Sequence, residues 1–169
     1  MVNNAPNEEK VVVIRLGDEE YGVDILVVAE IIRPTEITPL PRAPKSVVGL
    51  INLRGKVIPV IDARERFDLP KVKSKQSERI VILSMDDGQL IGVRVDAATE
   101  ILTLGGDEIG PAPDLALSDG IKEAIRAVAN RDDRLIILLN PEKILPPSEL
   151  EQTFVAAEEH SAGEEAEVE

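Results

Sequence analysis

His160 is the only histidine in this 169-residue chain, and there is no cysteine. His160 stands among Glu158, Glu159, Glu164 and Glu165. A catalytic imidazole needs a shaped pocket and an orienting partner, and this setting reads as a solvated tail. Ser-His-Asp catalysis and histidine metal sites are thereby left without residues. Disulfides, thiolate chemistry and cysteine zinc sites are excluded outright. No GxxxxGK phosphate loop occurs, and no GxGxxG follows a strand. Carboxylates are plentiful, so a two-carboxylate hydrolase has to be weighed. Asp18-Glu19-Glu20, Asp86-Asp87 and Asp107-Glu108 all lie near a glycine in turn-like sequence. Acids in turns are usually solvated or bonded to their own backbone. Three residues remain to be explained. Arg54 sits at the tip of an apolar hairpin, either as an ordinary turn residue or as a guanidinium offered to a partner. Val28 and Ile101 are either core or the lining of an exposed apolar groove.

These residues must be positioned by short β-strands. Val11–Leu16 and Tyr21–Asp24 form a hairpin around Gly17-Asp18-Glu19-Glu20. Ile25, Val28 and Ile32 follow a helical spacing, so a short helix ending before Pro34 is predicted. Pro34, Pro39, Pro41 and Pro44 impose an extended loop with a short edge strand near 36–40. Val47–Ile61 is a hairpin turning at Arg54-Gly55, with an edge or bulge expected at Pro59. Asp62 caps one helical turn reaching Phe67. The 70–77 segment is basic and reads as mobile. Arg79–Met85 and Leu90–Val95 form the clearest hairpin. Glu100–Leu104 is a strand, 105–120 a loop, and Ile121–Val128 either helix or strand. Leu135–Leu139 is a buried strand after a turn at 130–133. Ser148-Glu149-Leu150-Glu151 matches a capping box opening a terminal helix with Leu150, Phe154 and Val155 as its stripe. Beyond Glu158 the composition is that of a disordered acidic tail. Roughly ten short strands with frequent turns argue for an all-β fold of small barrels.

The net charge is −13. Eight of the acids lie in 148–169, which contains no lysine or arginine. Phosphate backbones and anionic membranes would be repelled, and three aromatics provide no base-stacking platform. No apolar run approaches the roughly 20 residues that span a bilayer, and the first residues do not resemble a signal peptide. A cytoplasmic protein without nucleic-acid binding or direct membrane insertion is expected.

The residues also carry a family likeness. Gly17–Leu26, Glu30–Arg33, the run Val48-Gly49-Leu50-Ile51-Asn52-Leu53-Arg54-Gly55, and Pro59–Asp62 resemble the CheW type of chemotaxis coupling protein. Gly92, Asp96, Glu100–Leu102 and Asp133–Asn140 continue the likeness over about residues 10–147. The resemblance implies two five-stranded SH3-like barrels packed together, with short helices; the C-terminal helix and acidic tail at 148–169 lie outside it. It implies a non-catalytic adaptor, with no cofactor, between two partners. One is the regulatory domain of a CheA-type histidine kinase; the other is the cytoplasmic tip of methyl-accepting chemoreceptors. Ring-forming contacts with the kinase or with itself, within receptor arrays, would follow. Val28, Glu30, Gly49, Arg54, Ile80 and Ile101 match positions linked to this coupling. The departures are Ile14 where an aromatic is common, Ala63 for leucine, Ala97 and Ala98, and Ala127 for glycine. The other readings are a carboxylate hydrolase, with two acids converging in a pocket, and a small-ligand sensor, with an enclosed cavity.

Overall fold

The computed structural model describes residues 8–70, 76–112 and 119–167. Strands β1 (Glu9–Leu16) and β2 (Glu19–Asp24) form the first hairpin. A 3-10 turn at Ile25–Val27 leads into β3 (Val28–Ile32). Next come β4 (Val47–Leu53), β5 (Lys56–Asp62) and helix α1 (Ala63–Arg66). The hairpin of β6 (Arg79–Ser84) and β7 (Leu90–Val95) is followed by β8 (Ala97–Leu104) and the two-residue β9 (Ile109–Gly110). Helix α2 (Asp119–Ala124), β10 (Ile125–Arg131), β11 (Arg134–Leu139) and helix α3 (Pro147–Glu167) complete the chain.

The strands form two mixed sheets, ordered β8-β1-β2-β11-β10-β9 and β3-β6-β7-β5-β4. This is the two-barrel, mostly β architecture expected. The first sheet's sixth strand has only two residues, and its counterpart in the second sheet is the single bridge Thr38–Leu50.

The pairing registers expose an internal two-fold relation. Val13 faces Gly22 and Glu100 on its two sides, and Ile82 faces Gly92 and Glu30. Leu138 pairs with Gly22 and Ala127, as Val60 pairs with Gly92 and Gly49. Each half is therefore a hairpin joined in parallel to a second hairpin. The fifth strands are exchanged: β3 follows β2 but completes the second sheet, and β8 follows β7 but completes the first.

Burial on both faces explains the unbroken apolar runs. Along β1, Val11 and Val13 join one core while Val12, Ile14 and Leu16 join another. On β6, Ile80 and Ile82 fill the second barrel while Val81 and Leu83 face the shared core. The largest core lies between the barrels, where Tyr21 stacks on Phe67 at 5.5 Å. Asp96 ties the halves together: it accepts from the Gly17 amide (2.7 Å) and from Arg64 of α1 (Nε, 2.8 Å). The glycines of the parallel junctions are closely covered by core side chains. A Cβ at Gly22 would lie 2.8 Å from Leu138, and one at Gly92 2.9 Å from Ile80.

Several expectations need correction. Residues 25–32 are a 3-10 turn and a strand. Ala29 is an extra residue in the register, which places Val28 and Ile31 on one face. Ile32 falls on the opposite face, against Ile80, so Val28 and Ile32 are not the single helical stripe that their spacing suggests. Pro59 sits in an interior strand rather than at an edge. Leu50, opposite it, bonds Thr38 with both its amide and carbonyl (2.7 and 2.8 Å). The proline ring therefore faces the other side, where the β5–β7 ladder begins only at Val60. Its counterpart Ile137 is paired with Tyr21 in the first sheet. Ile121–Val128 divides into the end of α2 and the start of β10. The terminal helix starts at Pro147, which the fixed proline φ suits as a first residue, so Ser148 lies inside it. Its buried stripe is Thr153 and Ala157 flanked by Leu150 and Phe154, with Val155 exposed. The helix continues to Glu167 through the segment read as tail, in keeping with the helix propensity of alanine and glutamate. His160 is half-buried on it rather than solvated. The 70–77 and 105–120 expectations fall partly on residues 71–75 and 113–118, outside the described residues.

Candidate partner-binding site at the barrel seams

Arg54 and Gly55 form the two-residue β4–β5 turn with φ of 50° and 85°. Two positive values define a type I′ turn, which suits the right-handed twist of a hairpin and favours Asn-Gly or Gly-Gly. The Asn52 side chain supports it by accepting from the Gly55 amide (3.0 Å). Arginine is a poor choice for the first turn position, so a role outside the turn has to account for it.

That role starts with Glu30. The Arg54 guanidinium is 71% exposed and grips the Glu30 carboxylate with both terminal nitrogens, one at 3.2 Å. The hydrogen bond holds the Glu30 carboxyl below its ordinary pKa and raises that of Arg54. Glu30 lies on β3 and Arg54 ends β4, the two outermost strands of their sheet. The pair therefore bridges the barrel's open seam. The Ala29 bulge turns Glu30 toward the side of Ile82, which makes this bridge possible.

In the other barrel Glu100, the counterpart of Glu30, is also held by an arginine, here from the interior strand β11. Arg134 bonds Glu100 (2.9 Å) and Glu20 (2.7 Å), linking β11 to β8 and β2. Arg131 bonds the Thr103 carbonyl (2.7 Å) and Glu108 (2.8 Å). Beside the two seams stand the equivalent residues Ile31 and Ile101, 40% and 58% exposed. The sequence reading missed Glu100, Arg134 and Ile31. Only the paired registers, not local spacing, mark them.

The six residues singled out from sequence thus have different fates. Arg54 and Glu30 are one unit. Ile101 is exposed, and Val28 is half-buried against the shared core. Gly49 is a close-approach position, since a Cβ there would lie 2.1 Å from the Thr38 carbonyl oxygen. Ile80 is fully buried with Ile51, Ile58, Val60 and Ile82. It reaches no surface and acts only through packing. Ile80→Ala is expected to cost about 2–5 kcal/mol as a core truncation, and Ile80→Val under about 1.5 kcal/mol. Denaturant unfolding measures both.

The acidic clusters are engaged in structure. Glu20 bonds Arg134, Glu19 accepts from the Tyr21 hydroxyl (3.0 Å), and Asp87 accepts from the Gln89 amide (3.0 Å). Asp62 and Asp96 do line one 420 Å3 concavity, but Arg94 and Arg64 neutralise them. The resolved carboxyl shifts at Glu20, Glu30 and Glu108 all run downward because of arginine partners. A general acid requires the opposite shift. Glu108 falls farthest, to about 2, through Arg131 and then the Gly105 amide. Its folded-state value lies below the unfolded one, so its contribution is present above about pH 4.5 and lost as pH falls toward 2. Glu108→Gln is thus expected to lower stability at neutral pH, with the gap to the parent closing near pH 2. Urea melts across that range read this out.

A family model described as the CheW-like domain matches residues 10–149. The chain is 35% identical over 142 residues to the chemotaxis protein CheW of Rhizobium meliloti, covering 84% of this chain and 90% of that one. It is 36% identical over 130 residues to CheW of Helicobacter pylori, covering 77% of each. Among solved structures it resembles the scaffolding protein TtCheW of Thermoanaerobacter tengcongensis, with a TM-score of 0.71 and 36% identity over 78% of this chain and 88% of that one.

Proposed function

This chain belongs to the CheW-like family and is a chemotaxis coupling adaptor rather than an enzyme, and we propose that it bridges its partners through the seam of its second barrel. The partners are the regulatory domain of a CheA-type histidine kinase and the cytoplasmic tip of a methyl-accepting chemoreceptor. The observation that carries the reading is Arg54. It is an exposed guanidinium in a turn position that arginine does not favour, pre-oriented by Glu30. An arginine fixed this way keeps spare donors for a partner's carboxylate or carbonyl, and little side-chain entropy is lost on binding. Val28, Ile101 and the newly identified Ile31 supply apolar surface for an amphipathic receptor helix. Gly49 and Ile80 support the seam from within.

Each contact can be small and still effective, because an array makes binding multivalent. Ring closure with kinase domains or further copies of this chain would supply that multivalency. No helix of the described residues is long and apolar enough to cross a membrane. The coupling role itself leads us to place the chain on the cytoplasmic face, held at arrays by its partners. The domain limits proposed are 10–147 for the coupling unit and 148–169 for the terminal extension.

The test is a titration of the chain with a kinase regulatory domain and a receptor-tip fragment, separately and together. Saturable binding to each, and a ternary complex with both, is expected. Mutually exclusive binding would overturn the bridging role.

A further inference from the structure

The two halves of the molecule differ most where the parallel ladder of the second barrel starts late. In the first barrel, β2 and β11 are paired from Glu20 onward and fastened by Arg134. In the second, Pro59 stands where a ladder amide would be, and β5 and β7 pair only from Val60 and Gly92 onward. Helix α3 covers the gap. Gln152 pins it to the Arg42 carbonyl (2.9 Å), and Thr153 and Ala157 are buried beneath it. Phe154 projects into this region between two concavities, and both are lined in part by Gln89 and Glu158.

The larger concavity, about 480 Å3, lies between α3 and the β6–β7 turn. Its apolar lining is Met85, Leu150, Phe154 and the exposed Val155. Its charged lining residues are Asp87, Glu142, Glu151 and Glu158, with no lysine or arginine among them. One Glu142 oxygen is already engaged by the Asp86 amide (2.9 Å). This differs from the concavity that Asp62 and Asp96 line, where Lys45, Arg64 and Arg94 stand among the acids. An apolar floor under a uniformly anionic rim favours an occupant with apolar residues flanked by cations.

The geometry points to this groove as a second docking site, separate from the Arg54 seam, for a basic amphipathic segment of a partner protein. An apolar side chain of that segment enters beside Phe154, and its lysines or arginines meet Asp87, Glu151 and Glu158. The occupant is helical or extended peptide rather than nucleic acid or anionic lipid, which the same rim repels.

The test uses a fluorescein-labelled amphipathic peptide of leucine and lysine, titrated into the full chain and followed by anisotropy. Its counterpart carries glutamate for every lysine. Saturable one-to-one binding of the lysine peptide is expected, weakening as salt rises. Glu151→Gln with Glu158→Gln should weaken it about tenfold, and Val155→Gln severalfold. Both changes sit on exposed positions, so folding is retained. A control with Asp18→Asn and Glu36→Gln removes the same charge from exposed sites elsewhere and should bind like the parent. Equal losses in the control would reduce the effect to net charge and overturn the site. Equal binding of the glutamate peptide, or unchanged binding by the Glu151/Glu158 variant, would do the same.

Discussion

Gly49→Ala should lower the melting temperature by roughly 6–12 °C, for a loss of about 3 kcal/mol. A methyl group at this position meets the Thr38 carbonyl oxygen at 2.1 Å and the Ile37 side chain at 2.9 Å. Backbone cannot yield as a side-chain end would. The segment carrying Thr38 must therefore lift from β4 and release both hydrogen bonds to Leu50, each with a net value near 1 kcal/mol. Ala127 occupies the equivalent place in the other barrel without such an obstacle, so the requirement belongs to the Thr38 crossing rather than to the sheet. Partner binding should survive in whatever fraction remains folded. Thermal melts paired with titrations well below the transition separate the two effects. An unchanged melting point with lost binding would move Gly49 onto the partner surface.

Arg54→Asn is expected to do the reverse. Asparagine accepts positive φ far more readily than arginine, so the melting temperature should hold or rise. Binding to at least one partner should fall tenfold or more, since both the guanidinium and its alignment by Glu30 are gone. Arg54→Ala tests the side chain but leaves an unsuited residue in the turn, and is expected to weaken coupling with little change in folding. Glu30→Gln leaves the guanidinium in place but without its charged orienting partner, and should show a smaller loss. If Arg54→Asn melted several degrees lower and bound normally, the seam pair would be a structural clasp only.

The legible part of this protein was its hairpins. Strands buried on both faces leave runs such as Val11–Ile14 and Ile136–Leu139 that admit few other readings, although Leu135, read as buried with them, is exposed. The turn at Arg54-Gly55 and the Asp62 cap were legible for the same local reason. Failures arose where one residue altered a period or a boundary. The Ala29 bulge breaks the alternation of β3, so Val28 and Ile32, read as one helical stripe, lie on opposite faces, and Pro147 started α3 ahead of its apparent cap. The seam contacts were invisible because Glu30 and Arg54, or Arg131 and the Thr103 carbonyl, meet only once a sheet has curled back on itself. The two-fold relation was hidden as well. It survives in register, and in a few identities such as Gly22 with Gly92 and Glu30 with Glu100, while most side chains have diverged.

The exchange of fifth strands has a kinetic consequence. Neither barrel can be completed from a contiguous stretch of chain: β3 must wait for β6, and β8 must return to β1 across most of the sequence. Loop-closure entropy is therefore spent before the contacts that repay it form, and such topologies fold slowly for their size. On a ribosome the first hairpin emerges early, with an unpaired β1 edge exposed until β8 has been made. That interval is when the chain is most open to wrong pairing, with a second nascent copy as the readiest wrong partner.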